Sequence, residues 1–217
     1  MCVDYCELSS QRRRLERHRD QRPRSLTDPR HRRPIRCISE PLPGGTEVAF
    51  VADSELKLDP ACGGAVRTLA VSVDCCPRWT ADGFLYFSGT GVGIRRIQPD
   101  RPGSPAETVT RQADGGYAHA DTRVLPGGTA GVFTVLTDMV GSSLRIDGIR
   151  LETGKRIVVL DAAVSPHVTS TGHLLYGNRE GQILAEPLDL AGLEIRGPPS
   201  LVADGAYDIP RVAGDRL

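Results

Sequence analysis

The chain has 217 residues, of which 39% are hydrophobic and 5% aromatic, with 24 glycines and 16 prolines. So many turn-forming residues favour an all-β fold of short strands over a bundle of long helices. No run approaches the roughly 18–20 consecutive apolar residues of a membrane-spanning helix, and the N-terminus lacks the basic and apolar regions of a secretory signal. The chain as given is therefore expected to be soluble, and its compartment is left undetermined.

The first 40 residues differ from the rest in composition. They hold 11 of the arginines and 6 acidic residues, although the formal net charge of the whole chain is zero. The run QRRRLERHRDQRPRSLTDPRHRRPIR from Gln11 has only Leu15, Leu26 and Ile35 as large apolar side chains, too few to build a core. We interpret residues 1–40 as a disordered Arg-rich tail, with a wrong-frame or mis-called start as a second interpretation.

A third interpretation of this tail is an arm that binds nucleic acid, because clustered arginines neutralise phosphates. The aromatic side chains on which the bases of a single strand would stack are missing from it. Nucleic acid is therefore not expected as a partner. Elsewhere the cysteines lack the CxxC pairs of a zinc site, so we expect no metal, no cofactor and reduced thiols; they are Cys2, Cys6, Cys37, Cys62, Cys75 and Cys76.

From about residue 41 onward a glycine turn followed by an apolar strand recurs. It is written PGGTEVAFV from Pro43, ADGFLYFSG from Ala81, PGGTAGVFTV from Pro126 and STGHLLYGN from Ser170. The last glycines of these turns are Gly45, Gly83, Gly128 and Gly172, and a fifth turn contains Gly214. Successive spacings of 38, 45, 44 and 42 residues match the length of one four-stranded propeller blade.

Each repeat also contains the further strands that a blade needs. A second strand alternates in character, as ELKLDP, GIRRIQPD, LRIDGIRLE and QILAEPLDL, and period-two alternation indicates a strand. Glycine turns then follow at Gly63-Gly64, Pro102-Gly103, Thr153-Gly154 and Ala191-Gly192, where glycine is expected to supply a positive φ. A third strand is predicted in AVRTLA, AETVT, KRIVVL and LEIRG, and a last one before each next blade turn.

The predicted fold is thus all-β, a partial β-propeller of four-stranded antiparallel blades with about four blades and the start of a fifth. It spans residues 41–217 as one incomplete domain. An incomplete ring leaves unpaired strand edges, so edge-to-edge self-association is expected. We expect an open arc, with closure by another copy, four-bladed closure and a poorly folding truncated product as alternatives.

Two stretches of this region carry a family resemblance. PRWTADGFLYFSG at residues 77–89 and the run from Ser165 to Asp204 resemble the TolB-like, WD-type propeller that follows the kinase domain in many bacterial serine/threonine protein kinases. The resemblance implies an appended module that binds a protein or a small-molecule ligand. No Gly-rich loop with its strand lysine, HRD loop or DFG motif is present, so kinase activity is not carried over to this chain.

Candidate catalytic signals in the sequence are weak. Gly89-Thr90-Gly91-Val92-Gly93 precedes a strand-like run and not a helix, so we interpret it as a loop between strands, and Glu152-Thr153-Gly154-Lys155 as a hairpin turn. The histidines and acids that could act as ligands, bases or acids lack diagnostic spacing, and Trp79 is expected to wedge between blades. They are His119, His167, His173, Asp74, Asp82, Asp114 and Asp121.

These observations predict a non-catalytic binding or sensing module with no catalytic residue in the chain. The alternative is the propeller portion of a hydrolase or peptidase whose catalytic part lies elsewhere. A GxSxG nucleophile elbow, which would favour that alternative, is absent from this sequence.

Overall fold

The computed structural model describes residues 37–38, 46–80, 82–89, 91–101, 103–138 and 143–205. Within these ranges the secondary structure consists of strands and one short 3-10 helix, Gln112–Asp114, so no α-helix is present there to span a membrane. The chain divides into two compact units, Met1–Trp79 and Thr80–Leu217. Each unit is described by itself.

The first unit contains one four-stranded antiparallel sheet with the strand order β1-β2-β3-β4. A tight hairpin joins β2 to β3 through Asp53 and Ser54, both at φ 58, as the two-residue turns that match strand twist require. The strands of this unit are β1 (Cys37–Ile38), β2 (Glu47–Ala52), β3 (Glu55–Pro60), β4 (Arg67–Val71) and β5 (Cys75–Trp79).

The second unit contains three stacked groups of antiparallel strands. The first group is β6 (Leu85–Gly89), β7 (Gly93–Ile97) and β8 (Glu107–Thr108). The second is β9 (Ala118–Val124), β10 (Ala130–Leu136), β11 (Leu144–Arg150) and β12 (Arg156–Asp161). The third is β13 (Val164–Val168), β14 (His173–Gly177) and β15 (Ile183–Asp189), with β16 (Glu194–Ile195) and β17 (Ser200–Ala203) both paired to β15.

Three of the five predicted blade turns lie in this unit. The backbone N–H groups of Gly83, Gly128 and Gly172 donate to the carbonyl three residues earlier, at 3.0, 3.0 and 3.1 Å. All three have a positive φ, between 70 and 81°, which favours glycine. Gly45, Gly214 and the predicted start of a fifth blade lie outside the described residues, as do residues 1–36 and 39–40 of the predicted N-terminal tail. Cys37–Ile38, which the prediction placed in that tail, form β1 and pair with β2.

The last sheet differs from its prediction in two respects. The third strand predicted as LEIRG is present and pairs with β15, but it extends only over Glu194–Ile195, and β17, which the sequence did not predict, pairs with β15 beyond it. Gly197-Pro198-Pro199 separates the two strands, because proline has no N–H to donate to a ladder. Gly192 does not have the expected positive φ; Leu193 has it instead, at 59°.

The strain at Leu193 has a packing counterpart. The side chain is fully buried in the cluster between the second and third groups of strands, with Val132, Ile146 and Leu174. Burial of a leucine contributes about 1.5–3 kcal/mol, enough to offset the ~1–2 kcal/mol cost of a left-handed backbone.

The prediction of reduced thiols was wrong for one cysteine, since Cys62 is disulfide-bonded.

Alternating residues of β10 bury both faces of its sheet. Val132 packs with Leu174 and Tyr176 on one side, whereas Phe133 packs with Tyr86 and Ile94 on the other. Successive side chains of a strand point to opposite faces, so one strand contributes to two cores. The predicted all-β fold of four-stranded antiparallel sheets stacked face to face is confirmed, as in a partial β-propeller.

Candidate functional site

The first strands of two stacked sheets, β9 and β13, contact each other, and each is an edge strand of its sheet. Both are bulged. The register of β9 shifts opposite β10 between Val132 and Thr134, and that of β13 shifts between Val164 and His167. Asp121 and Ser165, the residues displaced by these bulges, both have φ 52. Bulges and left-handed non-glycine residues re-aim side chains and concentrate at functional positions.

Polar contacts tie these two bulges together. The Ser165 hydroxyl donates to Oδ2 of Asp121 at 3.2 Å, and the Ser165 backbone N–H donates to Oγ1 of Thr134 at 2.9 Å. Nε of Arg123 donates to the carbonyl of Pro166 at 3.3 Å. Asp121, Arg123 and Ser165 are all partly exposed. We call these three residues the inner-strand patch; it offers a carboxylate, a guanidinium and a hydroxyl.

The inner-strand patch does not resemble a hydrolytic triad. A nucleophilic serine needs an adjacent histidine base. His119, two residues before Asp121, is 3% exposed, with Nδ1 2.8 Å from Oγ1 of Thr110 and Nε2 2.9 Å from the carbonyl oxygen of Gly115. Both ring nitrogens of His119 are therefore engaged in holding the loop after β8 against the second sheet.

The hydrogen bonds of His119 fix its tautomer. The Gly115 carbonyl can only accept, so Nε2 of His119 carries a proton and donates to it. In the neutral ring Nδ1 then accepts from the Thr110 hydroxyl, whose oxygen also accepts from the Ile94 backbone N–H at 3.0 Å. The imidazole also packs edge-on against Phe133, with ring centroids 5.3 Å apart. This arrangement is a structural one.

The other predicted histidines lie on the last sheet. Nδ1 of His173 is 3.2 Å from the Thr171 hydroxyl, beside the blade turn. His167 is exposed on β13. The two therefore do not join His119 in a cluster, and within the described residues no group of three His, Cys, Asp or Glu side chains is placed to hold a metal ion.

Of the four predicted acids, only Asp121 belongs to the inner-strand patch. Asp82 caps its blade turn, accepting from the Thr80 hydroxyl and, at 3.2 Å, from the Phe84 backbone N–H. Asp74 lies between β4 and β5. The side chain of Asp114 lies outside the described residues, and Trp79 ends β5, partly buried.

Asp82 also anchors a buried tyrosine. The Tyr86 hydroxyl donates to Oδ2 of Asp82 at 3.0 Å and accepts from Arg96 at 3.3 Å, while Nε of Arg96 is 2.8 Å from Glu107. Burial of Tyr86 raises the pKa of its phenol to about 12. This network joins β6, β7 and β8, and its polar side chains bind one another.

The sequence did not single out a buried carboxylate on β11. Asp147 is 2% exposed and lies 2.7 Å from Nε of Arg145 and 2.5 Å from Nη2 of Arg156. The alternation of LRIDGIRLE places Arg145 and Asp147 on one face of the strand, which is the only signal that the sequence contains. The inner-strand residues Arg123 and Ser165 were also missed as candidates, because a bulge leaves no pattern in the sequence.

Two glycine motifs are turns, as predicted. Gly89 pairs with Gly93 across the β6–β7 hairpin, and the Val92 N–H donates to the Gly89 carbonyl at 3.2 Å. The turn at Glu152-Thr153-Gly154-Lys155 joins β11 to β12, with the Gly154 N–H 2.8 Å from the Arg150 carbonyl. Neither precedes a helix, so neither forms a helix-terminus phosphate site.

No protein-family model matches the chain, and no curated protein matches it by sequence. Among solved structures, a puromycin-hydrolyzing peptidase of Mycobacterium tuberculosis aligns with a TM-score of 0.55 at 17% identity, over 80% of this chain and 33% of that one. The Cps50 (Swd1) beta-propeller domain of Myceliophteria thermophila aligns with a TM-score of 0.52 at 10% identity, over 79% of this chain and 57% of that one.

TolB from Acinetobacter baumannii aligns at 16% identity over 79% of this chain and 55% of that one, but the TM-score of 0.37 is too low to indicate a shared fold. The chain thus spans between about a third and three fifths of the length of these proteins. At such identities the likeness shows the fold alone, which is that of a β-propeller.

Proposed function

We propose that this chain is a non-catalytic propeller module that binds a ligand or protein partner at the inner-strand patch. The observation that carries the proposal is the pair of bulges in β9 and β13, where Asp121 and Ser165 have the same left-handed backbone and contact each other. Such strain costs about 1–3 kcal/mol per residue and persists where the surrounding structure uses it.

The distribution of chemistry supports a binding role over a catalytic one. His119, the buried histidine near the patch, has both nitrogens committed to Thr110 and Gly115. The patch instead combines one carboxylate and one guanidinium, both on the edge strand β9, with the hydroxyl of Ser165 on β13, an arrangement that suits a zwitterionic or peptide-like ligand with both charges. Inner-strand edges also offer backbone groups that no second strand covers on that side within the sheet.

A finer form of this proposal concerns the origin of the module. The resemblance at residues 77–89 and from Ser165 to Asp204 favours a region appended to a bacterial serine/threonine kinase. Translation of the neighbouring DNA in all frames tests this directly. A kinase domain and a membrane helix encoded upstream would support it, and an unrelated upstream product would refute it.

The binding proposal is tested by partner capture with the immobilised 217-residue chain, followed by mass spectrometry and thermal-shift screening of small molecules. Asp121→Asn removes the negative charge of the patch while keeping an amide oxygen for Ser165, and Arg123→Gln removes its positive charge. Lys155→Gln, on the exposed β11–β12 turn, is the matched control.

We expect the wild type and Lys155→Gln to retain the same ligand or protein with equal affinity. Either patch variant should bind it at least ~10-fold more weakly. Equal retention by all four proteins would contradict the assignment of the patch. Binding of nothing above background by the wild type would contradict the function itself.

A further inference from the structure

The sequence contains four Asp-Gly peptide bonds, and they differ in their surroundings. They are Asp82-Gly83, Asp114-Gly115, Asp147-Gly148 and Asp204-Gly205, and alanine precedes the aspartate in all except the third. An Asp-Gly bond is open to attack of the glycine nitrogen on the preceding side-chain carboxyl, because glycine has no Cβ to hinder the approach. The four bonds therefore share one local chemistry, and the fold decides which of them reacts.

The glycine nitrogens of the first three bonds are held by the backbone around them. The Gly83 N–H donates to the Thr80 carbonyl at 3.0 Å, and the Gly115 N–H donates to the Gln112 carbonyl at 3.1 Å. Gly148 is buried in β11, an interior strand that pairs with both β10 and β12. A nitrogen held in a turn or in a ladder reaches its neighbour's carboxyl only when the backbone opens locally.

The carboxyls of two of these aspartates are held as well. Asp82 accepts from the Phe84 backbone N–H at 3.2 Å and from the Tyr86 hydroxyl at 3.0 Å. The buried carboxylate of Asp147 is paired with Arg145 and Arg156. Each carboxyl is therefore bound by donors other than the glycine that follows it.

Asp204-Gly205 has a different arrangement. The Gly205 N–H donates to Oδ1 of Asp204 itself at 3.0 Å, so the nitrogen and the side-chain carboxyl are already in contact. Both residues are exposed and directly follow β17, and nothing lies within 4 Å of the place that a Cβ of Gly205 would take. Reacting groups held about 3–3.5 Å apart are in a near-attack arrangement.

We propose that Asp204 is a modification site, at which the folded chain converts aspartate into isoaspartate without an enzyme. The Gly205 nitrogen bonds to Cγ of Asp204 as the Cγ–OH bond of the protonated carboxyl breaks, and the amide proton and the hydroxyl leave as water. A second water then opens the cyclic imide. Opening at Cγ restores aspartate, whereas opening at the backbone carbonyl of Asp204 leaves Gly205 joined through Cγ, which is isoaspartate.

The position of Asp204 allows the modified chain to stay folded. Isoaspartate adds one carbon to the backbone, and here the addition falls just beyond the pair of Ala203 with Ile183 that ends the β15–β17 ladder. At Asp147 the same addition would interrupt a strand that is paired on both sides. Isoaspartate is therefore expected to accumulate at Asp204 while the last sheet remains intact.

Peptide mapping of the aged 217-residue chain tests the proposal. The arginines of the sequence are placed so that trypsin releases the four Asp-Gly bonds in four different peptides, and electron-based fragmentation distinguishes isoaspartate from aspartate. The folded chain is incubated at mildly acidic pH, where the carboxyl is partly protonated, and sampled over several weeks. Isoaspartate should form at Asp204 at least ~10-fold faster than at each of the other three sites.

Two controls separate the effect of the fold from that of the sequence. In a chain unfolded in guanidinium chloride, the Ala-Asp-Gly sites at Asp82, Asp114 and Asp204 should react at similar rates, because their local sequence is the same. Asp204→Glu keeps the charge but lengthens the ring that must close, and should abolish the modification at this position alone. Absence of isoaspartate at Asp204 in the folded chain, equal rates at Asp82 and Asp204, or a preference for Asp204 that survives unfolding would overturn the proposal.

Discussion

Asp147 and Arg156 form a buried ion pair across β11 and β12, with Nη2 of the arginine 2.5 Å from Oδ2 of the aspartate. Arg145 completes the pair from the other side at 2.7 Å. The guanidinium of Arg156 also lies over the Phe133 ring, 5.3 Å from its centroid. Because Asp147 is 2% exposed, neither water nor another acid can replace its carboxylate.

Asp147→Ala should lower the free energy of unfolding by about 3–5 kcal/mol, since two guanidinium groups lose the carboxylate that neutralises them. Urea unfolding followed by circular dichroism measures this. The exposed pair of Asp189 and Arg196 provides the control, and Asp189→Ala should cost far less. Equal losses in the free energy of unfolding from the two substitutions would contradict the prediction that the buried pair of Asp147 stabilises the fold more than the exposed pair does.

A second prediction concerns high pH. The folded pKa of Tyr86 is raised to about 12 by burial, against about 10 in an unfolded chain. The stabilisation from keeping this phenol neutral is complete below pH 10 and is lost as the pH rises through the folded value, because the unfolded chain releases its proton first. The thermal midpoint of unfolding should therefore decrease as the pH is raised from about 10, the unfolded pKa, to about 12, the folded pKa.

Tyr86→Phe separates this effect from general alkaline unfolding. The variant should be less stable at neutral pH by about 0.5–1.5 kcal/mol, through loss of the hydrogen bond to Asp82, and its midpoint should fall less between pH 10 and 12. Tyr117→Phe, at an exposed position, should leave the pH profile of the wild type unchanged. Identical profiles for wild type and Tyr86→Phe would contradict the prediction.

A third prediction compares two glycines with similar backbone angles. Gly93 has φ +74 and Gly83 has φ +81, but a Cβ at Gly93 would lie 2.2 Å from the carbonyl oxygen of Thr110, whereas nothing lies within 4 Å at Gly83. Gly83→Ala should cost about 1–2 kcal/mol of stability, the strain of the left-handed backbone alone. Gly93→Ala should cost clearly more, because backbone must also move.

Urea midpoints of the two variants measure this difference. Gly83→Asn should recover part of the loss, since asparagine tolerates this backbone region better than alanine. If Gly93→Ala were no more destabilising than Gly83→Ala, the close approach of Thr110 to the β6–β7 hairpin would be wrong.

Much of the fold could be predicted because turns and alternation are local properties. The glycine of each blade turn requires a positive φ, and this requirement is visible in the sequence at Gly83, Gly128 and Gly172. The alternation of ELKLDP and LRIDGIRLE likewise placed β3 and β11 within a residue or two of their ends. The repeat could therefore be predicted from short stretches of sequence alone.

The candidate site could not be predicted in the same way, because it depends on contacts distant in sequence. Asp121 and Ser165 are 44 residues apart and meet only because two bulged strands lie side by side. Leu193 takes a positive φ next to a glycine that does not, since packing of its side chain outweighs local preference. β17 follows a proline pair, which the sequence pattern marks as an end and not as a beginning.

Residue-resolved amide hydrogen exchange of the full chain tests the central claim, stacked four-stranded sheets with exposed inner edges, most directly. Amides of β10 and β14, which are paired on both sides, should exchange slowest, and that of Asp121 in the β9 bulge much faster than its strand neighbours. The amide of Ser165, which donates to Oγ1 of Thr134, should be protected and should exchange faster in Thr134→Val. Uniform protection through the β9 bulge, or rapid exchange throughout β10 and β14, would contradict the account.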